Sequence, residues 1–244
     1  MNVFVTGASR GFGYTLCRAL AAAGYHVIAA ARSKDRLELL QSEYPSRIVA
    51  LQLDLSDASS IADAIRFVET ECKAVDVLVN NAATAEGVGP IWELDSETWH
   101  RVMMTNFLGH VELTRDLLKG MIARRSGLIL NVCSLAANKP LKYLAPYGVN
   151  KAALKHYTLC LAHELHEFGV RANTIGITAD TDLPRDHAVQ KASLGYTQSL
   201  ERLKMHKLPP ASENIHLALF LISPAGRYIT SQYIESHSMV VRTW

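Results

Sequence analysis

The chain has little with which to staple itself covalently. Its four cysteines, Cys17, Cys72, Cys133 and Cys160, show no C-x-x-C spacing, which argues against a disulfide framework or a zinc site and suits buried thiols in a reducing compartment. A charge bias is lacking too: 25 Lys and Arg face 23 Asp and Glu, for a formal net charge of +2. With no long basic run, neither nucleic acid nor an anionic membrane surface is expected as the main partner. No apolar run is long enough to span a bilayer. The opening MNVFVTG reads as a strand entering a turn and holds no charged n-region or apolar leader, so a cytoplasmic protein is expected. Repeats, low-complexity tracts and linkers are also missing, and one domain over residues 1–244 is the economical reading.

Composition allows a sizeable core, because 49% of the 244 residues are hydrophobic and 20% charged. The order of that content is informative. Short β-branched runs (VFVT, HVIAAA, IVALQL, VDVLVN, GLILNV, VRANTI, YITSQYIE) alternate with longer stretches of helical spacing, among them YTLCRALAAAG, ASSIADAIRFVETEC and ASENIHLALFLIS. This alternation predicts an α/β fold of the Rossmann type, a doubly wound parallel β-sheet with helices on both faces. The least regular part, residues 178–210, carries Pro184, Gly195, Pro209 and Pro210 as breakers. Following the sixth strand, it falls at the carboxyl edge of such a sheet, where ligands bind, and is expected to be a lid with short helices.

The stretch VTGASRGFG places Gly7, Gly11 and Gly13 between an apolar strand and a helical pattern. Glycine permits a tight turn and close backbone approach, and the helix start offers free N–H groups to a pyrophosphate. Gly7, Ser9, Arg10, Gly11, Phe12 and Gly13 are therefore candidate cofactor-binding residues on dinucleotide logic; the competing mononucleotide P-loop lacks its Lys-Ser/Thr pair after the last glycine. At the end of the second strand, where an acid would accept from an adenosine ribose, stand Ala31 and Arg32. Arg32 and Arg10 suit a 2′-phosphate, which favours NADP(H) over NAD(H).

Tyr147 and Lys151 in YGVNK are four positions apart, on one face of a helix. With TGASRGFG, LDLSD at 53–57, NNAA at 80–83, Asn106 in MMTNFLG and Ser134 thirteen residues before Tyr147, the chain resembles the classical short-chain dehydrogenase/reductase family from Met1 to about Glu235. The resemblance implies a catalytic set of Ser134, Tyr147, Lys151 and Asn106. It also implies cofactor contacts from Asp54 to adenine, from Leu55, Asn80 and Ala82 along the dinucleotide, and from Ile177 beside the nicotinamide, with Tyr147 and Lys151 at the nicotinamide ribose. It implies a homotetramer or homodimer built partly on helices around 96–122 and 147–168.

Such a protein would interconvert a small-molecule carbonyl and a secondary alcohol. Tyr147 would act as general acid/base, Lys151 would favour its phenolate, and Ser134 would hold the developing oxyanion. Ala85, Leu135, Leu141, Tyr143 and the 178–210 segment are expected around the substrate. Alternatives on the same fold are a non-catalytic dinucleotide-binding protein and another reaction such as dehydration or epimerisation. Three departures from the family pattern stand out: Ala83 for the last glycine of N-N-A-G, IGIT at 175–178 in place of a Pro-Gly pair, and a tail, ESHSMVVRTW, without Asp-Gly-Gly. No metal is expected, because the histidines of HELHE are at i and i+3 rather than i and i+4. Trp92, Trp99, Met103 and Met104 read as core or interface packing.

Overall fold

The computed structural model describes residues 1–72 and 74–236. Its strands are β1 (Asn2–Thr6), β2 (His26–Ala31), β3 (Ile48–Gln52), β4 (Val77–Asn80), β5 (Gly127–Cys133), β6 (Val170–Ile177) and β7 (Tyr233–Ser236). Its helices are α1 (Gly11–Ala22), α2 (Lys34–Glu43), α3 (Ala58–Phe67), α4 (Ser96–Met103), α5 (Gly109–Ala123), α6 (Ala145–Leu165), α7 (Asp182–Ser193), α8 (Gln198–Met205) and α9 (Ile215–Ile222). The sheet order is β3-β2-β1-β4-β5-β6-β7 and every neighbouring pair is parallel.

An all-parallel sheet has helices on both faces, so its strands are apolar at successive positions. In β1, Val3 and Val5 face the core made with α1, α2 and α9 through Leu16, Leu20, Leu40 and Leu221. Phe4, between them, faces the opposite core of α3, α5 and α6, with Leu113, Met121 and Leu161. The chain winds outward in both directions from β1 and β4. Their carboxyl ends therefore open a crevice between loops that diverge to opposite faces.

Three local outcomes differ from the periodic pattern. The helix expected across ASSIADAIRFVETEC is α-helical to Phe67 and then widens into a π turn, Val68–Cys72. The strand expected from YITSQYIE begins only at Tyr233. Before it, the Arg171 guanidinium gathers the carbonyls of Leu221, Gly226 and Ile229 at 2.9 to 3.3 Å, which holds that segment as a turn. Residues 178–210 are largely helical, since Pro184 falls in the first turn of α7, where a missing N–H breaks no helical bond. Of the thiols expected to be buried, Cys17 and Cys133 are, whereas Cys72 is half-buried and Cys160 exposed. The departure in the tail lies from residue 237 outside the described residues. No helix of the described residues is long and apolar enough to cross a membrane.

Candidate active site

A cavity of about 950 Å³ occupies the crevice at the carboxyl ends of the strands. Gly7, Ser9, Arg10, Gly11 and Phe12 line one wall, with Arg32, Asp54, Leu55, Ala82 and Ile177 along it; Ser134, Tyr147 and Lys151 line the end beside β5 and α6.

The glycine turn is held by its neighbours. Thr6 Oγ1 accepts from the N–H groups of Asn81 and Ala82 at 2.9 and 3.0 Å, and Asn81 Nδ2 donates to the Thr6 carbonyl at 2.8 Å. Gly7 is left-handed at φ +67°, and a Cβ on Gly13 would fall 2.4 Å from the Gly7 carbonyl oxygen. A side chain at either position would push the first turn of α1 off the strand. Arg10, the N-cap of α1, makes no side-chain cap hydrogen bond, so the N–H groups of that turn stay free for an anion.

The two arginines expected at a 2′-phosphate differ. Arg10 Nη1 lies 3.6 Å from both Asp182 and Asp186 of α7 and so ties the glycine turn to that helix. Arg32 is exposed at the cavity rim and is joined there by Arg36, which the sequence reading missed. The available signal was a second arginine four residues on, in the first turn of α2. Asp54 turns its Oδ1 to the Ser56 N–H and hydroxyl at 2.9 and 2.6 Å.

Three expected site residues do not reach the cavity: Gly13, which packs against the Gly7 carbonyl and the Asn81 amide behind the glycine turn, Asn80 and Asn106. Asn80 is fully buried and its amide donates to Asn131 Oδ1 at 2.8 Å and Thr114 Oγ1 at 3.0 Å. From there Asn131 donates to Thr158 Oγ1 at 2.7 Å, and Thr174 Oγ1 donates to Thr158 Oγ1 at 2.8 Å, so a buried polar chain pins α6 to β4, β5 and β6. The neighbouring Asn81 is the one on the cavity. Asn106 is also fully buried, in a π turn, Met104–Leu108, where its Oδ1 accepts from the Thr84 N–H at 2.7 Å. Its amide fixes the loop after β4, while Thr105 beside it lines the cavity.

The end that holds Ser134, Tyr147 and Lys151 is built by β5 and α6. Ser134 leaves β5 with extended backbone, its Oγ accepts from the Ala136 N–H at 3.3 Å, and its carbonyl accepts from the Tyr233 hydroxyl at 3.2 Å. Pro146 sits in the first turn of α6, and Tyr147 and Lys151 follow on its buried face. Lys151 Nζ donates to the Val132 carbonyl at 2.8 Å and lies 5.9 Å from the Tyr147 ring centroid. Burial pushes the Tyr147 phenol up to about 12, against a lowering hydrogen bond with Ser134. Burial pushes Lys151 down. In this geometry the ammonium is engaged by Val132 and the phenol is desolvated, so burial sets the direction of the Tyr147 shift.

Helix α7 covers this end, anchored by Gln190 Nε2 donating to the Ala85 carbonyl at 3.2 Å. It brings His187 against Tyr147 and Lys191 to the cavity wall, neither foreseen from sequence. Leu135 and Leu141 line the cavity as expected, but Ala85 and Tyr143 do not. Tyr143, left-handed at φ 65°, packs instead on Tyr196 of the α7–α8 connection. Ala83 has no positive φ and so tolerates its methyl group. The HELHE residues His163, Glu164, His166 and Glu167 are exposed at the end of α6, and Trp92 is 80% exposed rather than in a core.

Residues 1–190 match the family model described as short chain dehydrogenase. The NADP-dependent 3-hydroxy acid dehydrogenase of Salmonella typhi is 34% identical over 184 residues, 75% of this chain and 74% of that protein. Among solved structures, L-sorbose reductase from Gluconobacter frateurii complexed with NADPH and L-sorbose superposes with a TM-score of 0.86 at 26% identity, covering 100% of this chain and 97% of that one. The closed form of a serine dehydrogenase complexed with NADP+ gives a TM-score of 0.86 at 27% identity, with the same coverage of 100% and 97%.

Proposed function

The chain belongs to the short chain dehydrogenase family, and from that premise we propose that it is an NADP(H)-dependent oxidoreductase interconverting a carbonyl and a secondary alcohol, with Tyr147 as general acid/base. The observation that carries this reading is the convergence of Ser134, Tyr147 and Lys151 on one end of a cavity whose other wall is the glycine turn. The residues present fit the dinucleotide. The cradle has no room for a Cβ at Gly13, the α1 N–H groups are uncapped, and Arg32 and Arg36 stand where the strand end carries no acid.

Gly7, Ser9, Gly11 and Phe12, with Arg32, Asp54, Leu55, Ala82 and Ile177, would hold NADP(H), whose nicotinamide supplies or accepts the hydride when bound. The Tyr147 hydroxyl gives its proton to the carbonyl oxygen in reduction and takes it back in oxidation. With its pKa raised by burial the phenol is kept in its donor form. The Ser134 hydroxyl donates to the same oxygen and to the charge that grows on it. Lys151, the cation nearest that phenol along α6, lowers the cost of the phenolate when its ammonium turns from Val132. Asn106 acts at one remove, by fixing the loop after β4.

A pure binding protein would have no use for a buried phenol flanked by a hydroxyl and an ammonium, and this favours the enzyme over a regulatory module. A homodimer or homotetramer using the exposed sides of α5 and α6, working in the cytoplasm, belongs to the same proposal, as does the role of residues 178–210 as a lid within one domain. The test is loss of NADPH absorbance with a panel of ketones and aldehydes, and of NADP+ reduction with the matching alcohols. Turnover that vanishes in Tyr147→Phe is expected; cofactor binding with no turnover of any member would favour the binding module.

A further inference from the structure

His187 and Lys191 have no part in the chemistry above, yet each is only 6% exposed and both line the cavity. Four positions apart on α7, they share one face of that helix. The His187 ring meets the Tyr147 ring edge-on, 4.9 Å between centroids at 66°. This puts the pair at the reacting end of the cavity, whereas Arg32 and Arg36 follow β2 at the cofactor rim.

Both side chains are left short of partners. His187 Nε2 is buried without a hydrogen bond. Among the described residues the Lys191 ammonium makes no ion pair or hydrogen bond; its neighbours are the Tyr196 ring, with the centroid 5.9 Å away, and a like charge, Arg202. The acids of α7 do not compensate it, since Asp182 and Asp186 are turned to Arg10. A buried imidazole nitrogen without a partner is costly, and the Lys191 ammonium at the cavity wall has no counter-charge beside it. Burial holds the His187 pKa down at about 4, so at neutral pH it is an uncharged ring with one N–H and one lone pair to offer.

A planar anion with two acceptor oxygens answers both needs at once. We propose that His187 and Lys191 bind the carboxylate of the substrate, so that the protein acts on a short oxo acid or hydroxy acid whose carbonyl or carbinol oxygen rests at Tyr147. This deepens the reductase reading and rests on it. One helical turn separates the two side chains, so the carboxylate lies within a few bonds of the reacting carbon.

The test compares 3-oxobutanoate with its methyl ester at saturating NADPH. Wild type should favour the acid, and Lys191→Met should lower the acid-to-ester ratio of kcat/KM by roughly tenfold or more, chiefly through KM, as loss of a charge-assisted hydrogen bond does. Lys191→Arg should restore most of the ratio. A wild type that favours the ester overturns the inference whatever the variants do, and so does an unchanged ratio in Lys191→Met. A raised KM for NADPH with that ratio unchanged would assign the ammonium to a cofactor phosphate instead. If wild type turns over neither compound, the reductase reading is decided by the wider carbonyl and alcohol panel. Calorimetric titration of butanoate into wild type and Lys191→Met with NADPH present then decides the inference alone: binding that the variant lacks supports it, and no binding to wild type overturns it.

Discussion

The Lys151 ammonium and the Tyr147 phenol lie on one face of α6 but do not form a pair: Nζ donates to the Val132 carbonyl at 2.8 Å, 5.9 Å from the ring centroid. Tyr147 is therefore set by burial to a pKa of about 12. In the reductive direction a protonated phenol is what the reaction needs. Tyr147→Phe should cut turnover by roughly 100-fold or more, the scale of general acid catalysis, with NADPH affinity by fluorescence titration within a factor of about 2 of wild type. Equal loss of cofactor binding would make Tyr147 structural.

Oxidation needs the phenolate, so its rate should rise with pH towards the Tyr147 pKa. Removing the Lys151 charge in Lys151→Met should move that limb to higher pH, since a nearby cation favours the ionised form. The pH profile of NADP+ reduction reads this directly. A limb that stays in place would show that Lys151 does not tune Tyr147.

Cofactor choice rests on Arg32 and Arg36, since Arg10 is shared with Asp182 and Asp186. Charge-assisted hydrogen bonds to a 2′-phosphate contribute about 1 to 3 kcal/mol, and NADPH should bind roughly 5 to 150 times more tightly than NADH. The preference should shrink in added salt because Arg32 is exposed. Ala31→Asp with Arg32→Ser should reverse it. Titration of both proteins with both reduced cofactors checks this, and an unchanged ratio in the double variant would refute it.

The buried chain Asn80–Asn131–Thr158–Thr174 makes a prediction about stability. Asn131→Ala removes the partner of two buried groups at once and should cost about 2 to 5 kcal/mol of unfolding free energy. Thr158→Val should cost less, as it leaves the Asn80 to Asn131 bond intact. Urea midpoints at constant slope measure both.

Acid should weaken the fold through His110, fully buried between Asn80 Oδ1 at 3.2 Å and the Ala82 carbonyl at 2.9 Å. Burial lowers its pKa from 6.5 to about 3. The unfolded chain therefore takes up a proton near pH 6.5 while the folded one does not. The contribution is whole above that pH and declines as pH falls towards 3. A His110→Asn variant should lose less stability than wild type between pH 7 and 5, seen in urea melts at the two values.

Much of the architecture was legible because it follows from local rules. A strand buried on both faces must be apolar at successive positions, so the run-and-helix alternation was enough to imply a parallel, doubly wound sheet. The glycine turn and the Tyr147–Lys151 spacing were legible for the same reason, since each is a short-range constraint of backbone or helix geometry. What stayed hidden depends on groups far apart in sequence. Adjacent asparagines at the end of β4 point opposite ways, and only the packing of α5 and α6 decides that Asn80 is spent on Asn131 and Thr114 while Asn81 reaches the cavity. Thr84 claims the Asn106 amide, and Val132 claims the Lys151 ammonium. The closure of α7, which brings His187 against Tyr147 from forty positions away, has no periodic signature at all. The sequence alone determined which chemical groups the site contains. Only the tertiary structure decided which of them meet, because hydrogen-bond partners and burial are properties of the packed chain.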